Sequence, residues 1–215
     1  MELRQPNEGR RGMEMAVHRI IEAQAARSGD ATAIADAEIT LSYRELNQRA
    51  NAVARHLIAH GFHRGGIATV CLPRSADTAI LLLGILKAGG MYTLMDGDAT
   101  SGVQWPRGVS FEEKSEGTEV RYRAVDMTAA LREAPRSSAN LPIVARASDV
   151  ACVIADRDGA PTLVVPHATI MSLQHRGIAP RFAEWSDGAG ALDLWAGLMN
   201  GATVTLSGLA VRSAA

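Results

Sequence analysis

The sequence predicts an α/β protein, and three observations carry that reading. Residues 67–72 form a near-continuous apolar run, the pattern of a strand covered on both faces. Residues 43–60 place Leu46, Ala50, Val53, Leu57 and Ile58 on one helical stripe. Between residues 31 and 95, strand-like and helix-like segments alternate, the rhythm of βαβ units built on parallel strands.

Taken in order, residues 1–12 read as a disordered arm, because they are polar and lack apolar periodicity. From Met13 the spacing of Val17, Ile20, Ile21 and Ala25 predicts a helix, ended by Ser28-Gly29-Asp30. Residues 31–35 and 39–43 read as two short strands around a turn at Asp36. Ser42-Tyr43-Arg44-Glu45 is a capping box: the Ser hydroxyl accepts from the Glu45 N–H while the carboxylate reaches back. The helix that follows stops at Gly61. After the strand at 67–72, residues 76–87 predict a largely buried helix and 91–95 the next strand. Residues 96–107 carry many small and turn residues. Residues 118–125 alternate as a strand, 127–133 suggest a short helix, and 134–148 a loop. Strands are expected at 150–155 and 162–165 around a turn at 157–160, then helices at 168–175 and 191–200, with Gly201 as a stop, and a last strand at 203–206. One domain over 13–207 follows, with 208–215 as a tail.

The bulk properties exclude several function classes. The chain has 215 residues, enough for a real core, with 47% hydrophobic and 21% charged residues. Lys plus Arg is 22 against 23 Asp plus Glu, so no basic excess points to nucleic acid or to a membrane surface. Aromatic residues are 4%, too few for a base-stacking platform. No apolar run is long enough to span a bilayer, and the first residues lack the apolar stretch of a signal peptide. Cys71 and Cys152 make no disulfide framework, so a reducing cytoplasmic setting with two buried thiols is expected.

Chemistry-bearing motifs are scarce. Gly97 and Gly102 have Walker A spacing, but Val103 and Gln104 stand where Lys and Ser/Thr are needed, so an ordinary loop is expected. His56, His60 and His63 lie close in sequence, yet no Cys or carboxylate is set beside them, and no metal is expected. There is no Gly-x-Ser-x-Gly elbow and no paired carboxylate spacing that demands acid/base work. No catalytic residue and no cofactor is assigned.

Four segments together resemble the adenylate-forming (AMP-binding) superfamily, and most of all the adenylation domains of nonribosomal peptide synthetases. Leu41-Ser42-Tyr43-Arg44-Glu45-Leu46 is similar to the first core motif, L-T/S-Y-x-E-L. Leu86-Lys87-Ala88-Gly89-Gly90-Met91-Tyr92 resembles the second, L-K-A-G-x-x-Y, and residues 72–75 resemble the L-x-R-S before it. Residues 192–202 are similar to F-E-I-W-G-A-L-L-N-G-A, with Trp195 at its centre. The resemblance implies a partial N-terminal large subdomain of the adenylate-forming fold, a mostly parallel sheet flanked by helices.

The departures carry the functional expectation. Family members hold ATP phosphates in a loop close to T-S-G-S-T-G-x-P-K-G, where backbone N–H groups and a Lys meet the anion. Here the flanking strands bracket a shorter stretch with Asp156, Arg157, Asp158 and Gly159, no Ser/Thr run, and no Lys after Pro161. Each carboxylate repels a polyphosphate by roughly 1–4 kcal/mol at contact distance in a partly wet site. The loop is therefore read as degenerate, a tight hairpin with Asp158-Gly159 at its turn. The stretch Asp187-Gly188-Ala189-Gly190 stands where amino-acid-activating domains carry F-D-x-S, with the Asp shifted by one. The sequence ends at Ala215, ahead of the family's adenine-binding, ribose-binding and hinge motifs and its C-terminal subdomain. The expectation is a truncated, catalytically inactive pseudoenzyme acting by protein contact in a secondary-metabolite assembly line. Its partner would be a synthetase module or carrier protein, or a second copy in a homodimer, with Trp195 at the interface. Two alternatives stay open: another enzyme chemistry in the remnant acyl pocket, using His167 or Asp156, and one half of a split ligase.

Overall fold

The computed structural model describes residues 15–36, 39–72, 75–95, 108–113, 121–127, 131, 139–142, 145–155, 161–174 and 189–206. The arm at 1–12, the tail at 208–215, the loop at 96–107 and most of the expected helix at 127–133 lie outside these residues.

Helix α1 (Val17–Arg27) buries Val17, Ile20 and Ile21, as its periodicity predicts. Strands β1 (Thr32–Ala35) and β2 (Thr40–Ser42) pair antiparallel, with Ile34 opposite Leu41. Ser42 then caps α2 (Tyr43–Ala59): its Oγ accepts from the Glu45 N–H at 3.3 Å, and Glu45 Oε2 accepts from the Ser42 N–H at 2.8 Å. Such a cap contributes about 1 kcal/mol. Gly61 ends the segment at φ 94°, a left-handed conformation that glycine adopts without strain. The buried stripe of α2 runs through Leu46, Ala50, Val53 and Leu57. Ile58, expected on it, is 41% exposed, because it turns past the edge of the face that meets the core.

Strand β3 (Ile67–Cys71), helix α3 (Ala76–Lys87) and strand β4 (Met91–Leu94) form a βαβ unit, with β3 and β4 parallel and Ala68 opposite Tyr92. Ser75 caps α3 by accepting from the Thr78 N–H at 3.3 Å. Every residue of α3 except Asp77 is buried, including Lys87. Strands β5 (Gly108–Glu113), β6 (Arg121–Val125), β7 (Val150–Ala155) and β8 (Pro161–Pro166) follow. Then come α4 (His167–Met171), α5 (Ala189–Met199) and β9 (Val204–Thr205).

The strands make two sheets, β2-β1-β9 and β6-β5-β3-β4-β7-β8. The expected mostly parallel sheet is instead mixed. Its centre, β3-β4-β7, is parallel, while β5, β6 and β8 join antiparallel at the margins. The reason is local: β5 and β6 pair as one antiparallel unit against β3, and β8 returns directly from β7 without a crossover helix. Strand β5 has no counterpart in the sequence reading, although Val109, Ser110 and Phe111 are all buried. Helix α4 is shorter than the predicted 168–175, ending at Met171. Cys71 and Cys152 are buried thiols that form no disulfide, as expected. Among the described residues, no helix is long and apolar enough to cross a membrane.

Candidate functional site

The β7–β8 hairpin carries the segment that distinguishes this sequence. Cys152 pairs with Val165, Ile154 with Leu163 and Ala155 with Pro161. Pairing runs out to Ala155 and Pro161, and residues 156–160 connect the two strands. Asp156, Arg157, Asp158 and Gly159 themselves lie outside the described residues, as do Asp187 and Gly188. Thr162 Oγ1 donates to the Ile154 carbonyl at 3.0 Å and ties the two strands near the turn.

Strand β8 is an edge of its sheet. Leu163 and Val164 are each 53% exposed. Successive strand residues point to opposite faces, so exposure of both means that this part of the hairpin is bare on each side. Farther along, Val165 returns to the core at 1% exposure. Sequence reasoning did not single out Leu163 and Val164; the signal was an apolar run longer on its outer end than the core can cover.

His167, weighed as an acid/base residue, opens α4 and is 1% exposed. Its Nδ1 accepts from the Val17 N–H at 3.3 Å. Burial pushes its pKa down to about 4, against a smaller opposing pull from Asp149. The ring thus faces helix α1, with Nδ1 taken up by the Val17 N–H and burial favouring the neutral form, a structural placement in place of the acid/base role weighed from the sequence. Asp149 lies just before β7. Burial alone would raise its pKa, but the Arg146 N–H at 2.9 Å and the Arg64 guanidinium at 3.2 Å hold it below the usual range.

Trp195, expected at an interface, is fully buried. Its Nε1–H donates to Tyr92 Oη at 2.7 Å, and the Tyr92 hydroxyl also bonds Cys152. The correction has a simple cause: α5 is apolar along most of its length, and the chain's own β4 offers the indole its acceptor, so no partner is needed to cover it. Burial pushes the Cys152 thiol up to about 11, so it is an inert core group rather than a nucleophile.

His56 and His60 sit one turn apart on α2, and each turns a ring nitrogen to a backbone carbonyl, His56 to Asp126 at 3.0 Å and His60 to His56 at 2.8 Å. Among the described residues, no group of three or more His, Cys, Asp or Glu is placed to hold a metal ion. A polar cluster around the buried Lys87 and Glu22 was not foreseen. Lys87 Nζ pairs with Glu22, Arg19 joins the same carboxylate at 2.8 Å, and Asn140 Oδ1 accepts from Asn47 at 3.0 Å and Asn51 at 3.1 Å. Burial lowers the Lys87 pKa to about 8, with Glu22 opposing that shift. This cluster joins α1, α2 and α3 around the Lys of the second motif, and its chemistry is structural. A Lys inside an otherwise apolar helix was the legible signal.

The family of AMP-binding enzymes matches residues 21–105. A stretch of 82 residues is 43% identical to surfactin synthase subunit 2 of Bacillus subtilis, covering 38% of this chain and 2% of that protein. The N-terminal subdomain of Klebsiella oxytoca NpsA, solved in complex with 3-hydroxybenzoyl-AMSN, superposes with a TM-score of 0.69 at 20% identity. That likeness covers 94% of this chain and 56% of NpsA's. An artificially fused adenylation–PCP di-domain, NpsA-ThdA, also from Klebsiella oxytoca, gives a TM-score of 0.69 at 19% identity over 92% of this chain and 40% of that one. The chain thus spans a small part of the curated synthetases it matches and about half of the NpsA subdomain. The matched stretch is similar to the AMP-binding enzymes, and the fold over nearly the whole chain is that of the NpsA N-terminal subdomain.

Proposed function

We propose that this chain works through protein contact in a nonribosomal-peptide or related assembly line, holding a synthetase module or its carrier protein, and does not itself activate a substrate with ATP. The observation that carries the proposal is the bare apolar edge at Leu163 and Val164. An edge strand offers a row of backbone donors and acceptors to an incoming strand, and apolar side chains on both faces seal the new pairing. Natural edges are blunted by charge or by proline; the segment Pro161–Pro166 carries no charge, and its two prolines stand only at its ends. The adjoining connection supports the second half of the proposal. Asp156 and Asp158 stand where the family's loop offers Ser, Thr and Gly to the phosphates, and no Lys follows Pro161. The setting is supported by the synthetase relatives and by the adenylation–PCP fusion whose fold this chain shares.

The test compares the wild-type chain with the double variant L163K/V164K, each immobilised and exposed to extract of the native producer. A synthetase or carrier protein, identified by mass, is expected on the wild type and at least about tenfold less on the variant. Equal retention on both, or no assembly-line protein on either, overturns the proposal.

A further inference from the structure

The first turn of α1 is held by two histidines buried without charge. His18 and His167 are each 1% exposed, and their rings meet edge to face at 6.0 Å. His167 Nδ1 accepts from the Val17 N–H, so its proton sits on Nε2. Both ring nitrogens of His18 are buried with no hydrogen-bond partner. We propose that His18 and His167 form an acid-operated latch, in which protonation of the two rings releases helix α1 while the β3–β4–β7 sheet stays formed.

The chemistry of each ring supports this. Imidazolium donates from both nitrogens and accepts from neither. A proton on His167 Nδ1 would face the Val17 N–H and convert the attachment into a repulsion. A proton on His18 would create a buried charge with no acceptor. The surrounding groups oppose protonation of His18: His167 from α4, Lys87 from α3 and Arg19 on α1 itself all disfavour it, and burial disfavours it most. Glu22 is nearby but already bonded by Lys87 and Arg19. Asp149 favours a charged His167, yet it is bonded by Arg64 and the Arg146 N–H.

Release is local for a topological reason. Helix α1 contributes no strand to either sheet. It is attached by side-chain packing to α2, α3, α4 and α5 and by polar contacts such as Gln24 Nε2 to the Met199 carbonyl at 2.7 Å. Freeing it breaks no ladder.

The sign of the pH dependence follows from linkage. Both histidines have folded pKa values below the ordinary 6.5, His167 at about 4 and His18 well below. The open state therefore binds more protons, so the stability is fully present above pH 6.5 and is lost as pH falls from there toward 4. Each histidine raises the opening equilibrium by up to about tenfold per pH unit, and the two together by up to about a hundredfold.

Hydrogen exchange of the full chain between pH 7.5 and 5, corrected for intrinsic rates, tests the latch. Peptides of Val17–Arg27 should lose protection by more than about tenfold per pH unit below 6.5, while peptides of β3 and β4 keep theirs. H167N retains an oxygen acceptor for the Val17 N–H but does not titrate, and should reduce the slope to that of His18 alone. Adding H18F, which keeps an aromatic edge, should flatten it. A pH-independent α1 in the wild type, α1 and sheet peptides opening together, or an unchanged slope in H18F/H167N overturns the proposal. The wild-type profile decides by itself if the variants fail to fold.

Discussion

Trp195 donates its indole N–H to the Tyr92 hydroxyl at 2.7 Å, with both rings inside the core. This bond ties α5 to β4, and so joins the third matched motif to the second. It also explains why an apolar helix so far along the chain docks in one register. The hydroxyl gives the indole a fixed acceptor, alongside the bonds from Tyr43 Oη to the Leu198 carbonyl and from Gln24 Nε2 to the Met199 carbonyl at the end of the helix.

Tyr92→Phe should cost about 1–3 kcal/mol of unfolding free energy, because it strands the Trp195 N–H in the core. Trp195→Phe should then cost less in the Tyr92→Phe background than in the wild type, with a coupling of about 0.5–3 kcal/mol. Urea denaturation of the four proteins measures the cycle. Strict additivity would mean that the bond does not hold the helix.

Gly84 is where α3 meets α2. A Cβ placed there would lie 2.2 Å from Val53 Cγ1 and 2.7 Å from Val53 Cβ. Gly84→Ala gains about 1 kcal/mol of helix propensity but should still destabilise by about 1–3 kcal/mol through overpacking. Val53→Ala combined with Gly84→Ala should recover part of that loss. Thermal midpoints of the three variants check both statements, and a stabilised Gly84→Ala single variant would contradict the close approach.

The Glu22–Lys87 pair predicts an asymmetry. Glu22→Gln leaves a buried ammonium without its counter-ion and should cost about 3–5 kcal/mol. Replacing both partners, Glu22→Leu with Lys87→Met, should cost far less than the single change, since the desolvation of both charges disappears with them. Denaturant midpoints at pH 7 distinguish the two cases; a double variant as damaged as the single one would show that shape rather than charge governs the site.

Much of the fold was legible because local chemistry and burial agreed. Ser42 and Glu45 formed the capping box that their spacing implies, and the run at 67–72 became a strand with both faces covered, β3 (Ile67–Cys71). Strand β5 was missed because Gly108, Ser110 and two glutamates dilute the alternation of Val109 and Phe111, and only pairing with β3 and β6 makes it a strand. The parallel character was overread for the same reason: a βαβ rhythm is visible in one segment, but direct returns at the sheet margins depend on pairing between segments. The site was less legible. Trp195 has the composition of an interface anchor, and its acceptor on β4 is 103 residues away in sequence. Lys87 looked like the end of a helix; its partner Glu22 lies on α1, 65 residues earlier. The exposure of Leu163 and Val164 depends on how far the core extends under the hairpin, which no local pattern encodes.

The most direct test of the contact account is a hydrogen-exchange footprint of the chain with and without the captured synthetase or carrier protein. Outward-facing amides among residues 162–165 should become at least about tenfold better protected on binding, because an added strand closes the outer side of β8. Unchanged exchange across β8 in a bound complex, with protection rising on another face, would contradict the account.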